Sequence, residues 1–286
     1  MIQLLQALIN GLALGAQYAL MALGFSLIYG VLGVINFAHG AFYALGGYLA
    51  YLMVSSVGMP YSLGVVVATV LCAGLGYLCE MAIIEPRIRD HQATLILTLG
   101  LGAIITGCLV LGFGPQVLRF PTPFDGTIHL GGLFIPVNRL FVIGVSVVAL
   151  LGVYALLYRT KLGLAFRALT QDREVALAQG IRPRILLPLA FAIATGLAGL
   201  TGAVVTPVFS LAPFVGEQVL LISFIAVIVG GLGSLIGAVI ASVGVGMAES
   251  LLGVYVGGTV APLMLFLVVL AVLVARPSGI LGKGDV

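Results

Sequence analysis

Leu4 to Tyr29 reads LLQALINGLALGAQYALMALGFSLIY, 26 residues with no charged side chain and no proline. At a helical rise of about 1.5 Å per residue such a run exceeds the ~30 Å hydrocarbon core of a bilayer. It lacks the strict polar alternation of a barrel strand, so a membrane-spanning helix is the reading that satisfies its backbone in lipid. The rest of the chain agrees. Of 286 residues, 62% are hydrophobic and 7% charged, and mean hydropathy is +1.28. A soluble domain carries about 25% charged residues, so this chain cannot solvate a globular surface. The expected fold class is all-α, a polytopic membrane protein of about 8–9 transmembrane helices, some of them broken or re-entrant.

Further apolar runs lie near 34–57, 61–84, 93–113, 139–158, 188–212, 219–256 and 259–275. The stretch 219–256 is too long for one span and is expected to turn near Gly230-Gly231-Leu232-Gly233-Ser234. Forty glycines suit close helix packing in lipid. With no tryptophan, interfacial anchoring falls to the ten tyrosines. No Lys or Arg precedes Arg87, so the first run lacks the basic start of a cleaved signal and is expected to remain in the membrane. Basic residues concentrate in 85–91, in 159–187 and in the tail, whereas 113–138 holds Arg119 alone and 212–217 holds none. Short cytoplasmic loops are rich in Lys and Arg, which places the first three inside with the C-terminus and the other two outside. With nine spans the N-terminus lies outside; eight result if the first run does not fully cross.

Segment 159–188 reads RTKLGLAFRALTQDREVALAQGIRPRILLP. Thr170 or Asp172 can cap a short helix, with Glu174 in its first turn and Gly180 placed to end it. Leu164, Ala168, Leu169, Ala176 and Leu177 form an apolar stripe among the charges. Two readings stand: a basic loop with a surface helix, or an amphipathic helix that docks into a groove of another protein.

Glu174-Val175-Ala176, then Gly180, then Leu187-Pro188 resembles the Glu-Ala-Ala loop of ABC importer permeases, with Val175 replacing the second motif residue and a shortened spacing to Leu-Pro. A broader resemblance covers nearly the whole chain. Asn10 to Leu20 (NGLALGAQYAL), Ala22-Leu23-Gly24-Phe25, Ile35-Asn36-Phe37-Ala38-His39-Gly40, Gly230 to Gly237 (GGLGSLIG) and Arg276 to Gly282 (RPSGILG) are similar to blocks of the branched-chain amino acid ABC permease family, and the length suits its smaller subunit type. That family includes permeases for urea and short amides. The resemblance implies a single permease domain over 1–286 in a bacterial cytoplasmic (inner) membrane. It implies as partners ABC ATPase subunits, a second related permease subunit and a periplasmic substrate-binding protein. It makes Arg167, Asp172, Glu174, Ala176 and Gly180 the residues of a coupling loop that grips the ATPase.

Polar residues inside apolar runs are costly unless partnered. Asn36 and His39 either cap the next helix at the cytoplasmic surface and bond nearby carbonyls, or line a pathway or gate at a helix break. Glu249 is either an intramembrane site or an interfacial acid, and Gln17 is a candidate for the inner wall. Glu217 and Asp125 fall in outward loops, where they are solvated or face a binding protein; Glu80 is expected at the interface. Gly230, Gly231, Gly233 and Gly237 lack the strand and lysine of a phosphate loop and read as helix-packing glycines. Cys72, Cys79 and Cys108 have no metal-ligand spacing and read as small packing residues. No cofactor motif, clustered catalytic set or Walker sequence is present, and nucleic acid is no expected partner. The leading reading is the channel-forming subunit of an ATP-driven importer for branched-chain or other hydrophobic amino acids. The alternatives are a urea or short-amide permease of the same family, or an ion-coupled secondary transporter working through Glu249 or His39.

Overall fold

The first helix, α1 (Ile2–Leu32), is the axis around which the other helices pack. In this computed structural model, which describes residues 2–88, 90–120, 124, 126–276 and 279–281 (the backbone alone for Leu130 and Arg173), 89% of its most apolar window is buried, against 22% for α5 (Val137–Arg159). Small residues make this possible. Gly11 and Gly15 of α1 meet Gly246 of α10 (Leu235–Tyr255) so closely that a Cβ at any of the three would strike the opposite backbone. The second buried helix, α8 (Pro183–Val205), packs on α1 and on α3 (Tyr61–Cys79). Helices α3, α4 (His91–Phe113), α5 and α11 (Ala261–Ala275) present Leu, Val and Ile outward, for example Leu111, Val148, Leu263 and Val274. Such faces suit lipid or another apolar helix.

Among the described residues, six helices are long and apolar enough to cross a membrane: α1, α3 with its extension to Arg87, α4, α5, α8 and α10. Run-counting in the sequence expects eight or nine, and the remaining runs form shorter helices for identifiable reasons. Run 34–57 is interrupted at its start: Gly33 (φ 71) ends α1, Asn36 Oδ1 accepts the Ala38 N–H at 3.0 Å, and α2 begins only at His39. Helix α2 (His39–Tyr51) then continues through one π-helical turn, Leu52–Ser56. Run 219–256 divides where Gly231 (φ 102) stops α9 (Val215–Gly230) and Ser234 caps α10 by accepting the Gly237 N–H at 3.1 Å. The turn expected at Gly230–Ser234 is therefore present.

His39 shows where α2 starts. Its Nε2 lies 3.2 Å from the Met21 carbonyl, more than two turns before the end of α1. The chain thus leaves α1, folds back into the bundle, and launches α2 from within it.

Connections gather at two ends. Arg184 lies 3.6 Å from Glu85, joining the start of α8 to the turn after α3. At the same end lie the amphipathic α6 (Lys161–Gln171), beside the last turn of α1, and the short α7 (Arg173–Ala178) that follows it. The tail returns there too: the Ile280 and Leu281 N–H groups donate to Val229 and Gly230 at 2.7 and 3.1 Å, capping α9. At the opposite end, a hairpin of β1 (Thr127–Leu130) and β2 (Leu133–Pro136) turns at Gly131-Gly132. Gln6 of α1 bonds both ways with the Phe134 backbone, at 2.8 and 3.0 Å, and Leu118 pairs with Leu211. The hairpin is the one strand element among the described residues of a protein that is otherwise helical.

Candidate translocation site

The first turns of α2 and α9 cross at Gly40 and Gly216. A Cβ on either glycine would collide with the other's carbonyl, so no larger residue fits this crossing without moving a helix. Beside it lies a cavity of about 560 Å³ between α2, α4 and α9, within the usual range of about 300–1,000 Å³ for small-molecule sites. Its wall is mostly aliphatic and aromatic: Phe25, Leu99, Ala103, Leu220, Leu221 and Phe224. Thr106 and Glu217 supply the side-chain polarity. Leu99 and Leu221, 54% and 59% exposed, stand at its open side.

Two features give this apolar cavity an electrostatic pattern. Gly40 and Ala41 belong to the first turn of α2, and Gly216 to that of α9. The His39, Val215 and Glu217 N–H groups are taken by the Asn36, Ala212 and Phe214 carbonyls, and the positive ends of the two helix dipoles converge on one wall at Gly40, Ala41 and Gly216. Glu217, one residue further along α9, brings a carboxylate to the same rim. The sequence marked Glu217 only as an outward charge. It carried no signal for Gly216, Thr106 or Leu220, whose significance is purely spatial.

None of Gln17, Asn36, His39 and Glu249 lines this cavity. Asn36 and His39 are fully buried behind it, with Asn36 turned on the backbone and the His39 ring edge-on to Phe25 at 6.2 Å. Gly24 provides the room for that ring. Gln17 donates to the Tyr43 hydroxyl at 3.4 Å, tying α1 to α2. Glu249 accepts from the Tyr18 hydroxyl at 2.8 Å across the α1–α10 contact. Side chains lean toward the N-terminus of their own helix, and here the two helices run antiparallel, so Tyr18 and Glu249 reach toward one another along the axis. Nearer the N-terminus of α1, Arg139 donates to Asn10 and the Ser250 hydroxyl donates to Ala7 O at 2.7 Å. Glu80, expected at the interface, is fully enclosed in a π-helical turn, and neither of its oxygens has a hydrogen-bond partner among the described residues.

The candidate coupling residues sit together at the basic end. Asp172, not Thr170, caps α7, accepting the Glu174 and Val175 N–H groups at 2.9 and 3.0 Å. Ala176 packs inward, while Val175 and Leu177 are 56% and 48% exposed. Gly180 (φ 81) closes the helix: its N–H donates to Leu177 and that of Ile181 to Ala176, at 3.0 and 3.1 Å, the paired bonds of a Schellman end. Arg167 lies on α6, its guanidinium 5.0 Å from the centre of the Tyr158 ring. Of the packing glycines, Gly230 and Gly237 abut backbone to backbone, and Gly231 and Gly233 take positive φ in the turn. Cys72 and Cys79 are buried and Cys108 is exposed. Asp125 and Arg89 lie outside the described residues.

The family described as the permease component of the branched-chain amino acid transport system matches residues 7–275. The chain belongs to this family. Among its relatives, the permease protein LivH of a high-affinity branched-chain amino acid transport system in Escherichia coli is 28% identical, over 99% of this chain and 96% of that protein. The Pseudomonas aeruginosa permease protein BraD is 28% identical, over 99% and 97%. The Escherichia coli LivM permease is 26% identical, over 92% of this chain and 67% of its own length. This permease is thus an integral membrane transport protein whose matched region takes in both the cavity and the α6–α7 end.

Proposed function

We propose that this chain is one of two related permease subunits in an ATP-driven importer, and that it carries branched-chain amino acids past the cavity at the Gly40–Gly216 crossing. The single observation behind this is the cavity's pattern. A zwitterionic amino acid would set its carboxylate toward the two helix starts, a use of broken helices common in transporters. Its ammonium would face Glu217, and its aliphatic side chain would lie on Leu99, Leu220, Leu221 and Phe224. Urea and short amides carry no charge to place and need several hydrogen-bonding side chains, which this wall lacks. An ion-coupled mechanism would need a polar relay into the cavity, whereas Glu249 is engaged with Tyr18 elsewhere. Relatives named both LivH and LivM support a pairing of two permeases, and the exposed Leu99 and Leu221 give the second subunit an apolar edge to close.

In this reading residues 1–286 are one permease domain, with nine helical passes made by α1 to α5 and α8 to α11; the assignment of α2, α9 and α11, shorter than the six spanning helices, is supported by their apolar sequence. The N-terminus is outside and the basic end, with the C-terminus, is cytoplasmic in a bacterial inner membrane. There α7, with Asp172, Glu174, Ala176 and Gly180, meets a separate ATPase, and a periplasmic binding protein delivers substrate at the hairpin end.

The test is uptake of leucine and of urea in membranes holding the assembled transporter, with Ala103→Phe as the blocking variant. Ala103 borders the cavity and is exposed on that side, so the larger ring can enter without displacing the buried bundle. Leucine uptake is expected in the parent and to fall at least about tenfold in the variant, which corresponds to ~1.4 kcal/mol or more on the barrier. Equal leucine uptake by both proteins, or uptake of urea in place of leucine, would overturn the assignment.

A further inference from the structure

At the end of the bundle opposite the hairpin lies a second, larger cavity, about 760 Å³, enclosed by the last turns of α1 and α5, by α6, and by the turn between α9 and α10. Among the described residues, Arg167 is the charged side chain on its wall, no carboxylate lines it, and the Arg167 Nε has no hydrogen-bond partner. The Tyr158 ring steadies the guanidinium from one side. Leu235 and Ile236, the first residues of the 21-residue α10, also border the cavity. Ser234 caps this helix through Gly237, and the earlier N–H groups have no intrahelical partner, so the positive end of α10 faces the same space. An independent sign comes from Ser26. It is 1% exposed, it lines the cavity, and its hydroxyl has no hydrogen-bond partner among the described residues.

We propose that this cavity binds a phosphate group, held by Arg167, the start of α10 and the Ser26 hydroxyl. The same chemistry is offered by an anionic phospholipid headgroup and by free phosphate, and the rest of the wall favours the lipid. Leu27, Val31, Leu157, Phe166 and Leu281 surround the polar patch, and Leu232 and Ile236, 47% and 52% exposed, lead outward from it. Acyl chains would cover those surfaces, whereas a free anion would leave them wet. Because α6 supplies Arg167 and leads directly into α7, a lipid seated here would brace the segment proposed to meet the ATPase. The proposal rests on the chain being embedded in a membrane and stands or falls independently of the substrate reading.

Delipidated full-length protein in detergent, titrated and followed by native mass spectrometry, tests this. Phosphatidylglycerol is expected to bind about fivefold or more tightly than phosphatidylcholine with the same acyl chains. Arg167→Gln should erase that preference, Arg167→Lys should keep most of it, and Ser26→Ala should weaken it. If Arg167→Gln does not insert, Ser26→Ala and Arg167→Lys carry the test. Inorganic phosphate at millimolar concentration is expected neither to compete with phosphatidylglycerol nor to raise Tm; if it does both, free phosphate is the ligand and the lipid source is overturned. Equal binding of the two lipids by the parent protein, or a preference unchanged in all three variants, overturns the site itself.

Discussion

At the scale of single residues, the proposed path depends on what is missing. The carbonyl groups of Gly40 and Gly216 occupy the space where each other's Cβ would be. Packed helices relax only partly around an inserted methyl group, and overpacking of this kind costs about 1–3 kcal/mol. Gly216→Ala is therefore expected to lower the Tm of the detergent-solubilised protein, since α9 must retreat from α2. Gly107→Ala on α4, where a new Cβ meets nothing, is expected to leave Tm within error. Equal Tm values for Gly216→Ala and the parent would mean that the crossing is loose and the cavity wall undefined. The sequence revealed that glycines are abundant and that Asn36, His39 and Glu249 stand in apolar surroundings. It did not reveal partners, because Tyr18 and Glu249 are 231 positions apart and meet only through the antiparallel packing of α1 and α10. For the same reason the polar positions picked out by chain chemistry differ from those around the cavity.

At the scale of elements, the local signals were the most legible. An Asp followed by Arg-Glu, then Val-Ala-Leu-Ala-Gln and a glycine, specifies a short capped helix by local hydrogen bonds alone, and α7 follows that pattern from the Asp172 side chain to the Gly180 backbone. Less legible were interruptions that depend on tertiary contacts. Run 34–57 reads as one span, yet α2 starts inside the bundle, where His39 finds the Met21 carbonyl and α1 shields both. Helix α7 also carries a prediction. A β-branched residue at the positive φ of Gly180 costs about 1–2 kcal/mol and breaks the Schellman closure that orients α7 against α8. Gly180 is far from the α2–α9 cavity, so Gly180→Val should insert normally and retain the substrate path. In the assembled importer it is expected to leave ATP hydrolysis running while leucine uptake falls at least about tenfold. Uptake and hydrolysis in their parental ratio would remove α7 from the coupling role.

At the scale of the whole molecule, charge and packing sort the connections in the same way. Arg87, Arg159, Lys161, Arg167, Arg182, Arg184 and Arg276 gather at one end, whereas Arg119 and Arg139 belong to the end with the hairpin. The sequence could group these segments only by counting basic residues. The structure groups them by contact, through Arg184 with Glu85, the tail with Val229 and Gly230, and Gln6 with Phe134. Basic residues resist transfer across the bilayer, and the asymmetry favours the basic end inside. In a protein whose Cys72, Cys79 and Cys108 are replaced by alanine, the hairpin variant His129→Cys should react with a membrane-impermeant maleimide on intact spheroplasts. Lys161→Cys and Glu174→Cys should react only after lysis; the first guards against shielding of α7 by a bound ATPase. All three positions are exposed, so accessibility reports sidedness and not burial. Labelling of Lys161→Cys from outside would invert the molecule. An inverted molecule puts α7 beyond any cytoplasmic ATPase and turns the phosphate cavity to the outer leaflet, so this one measurement bears on both ends of the mechanism at once.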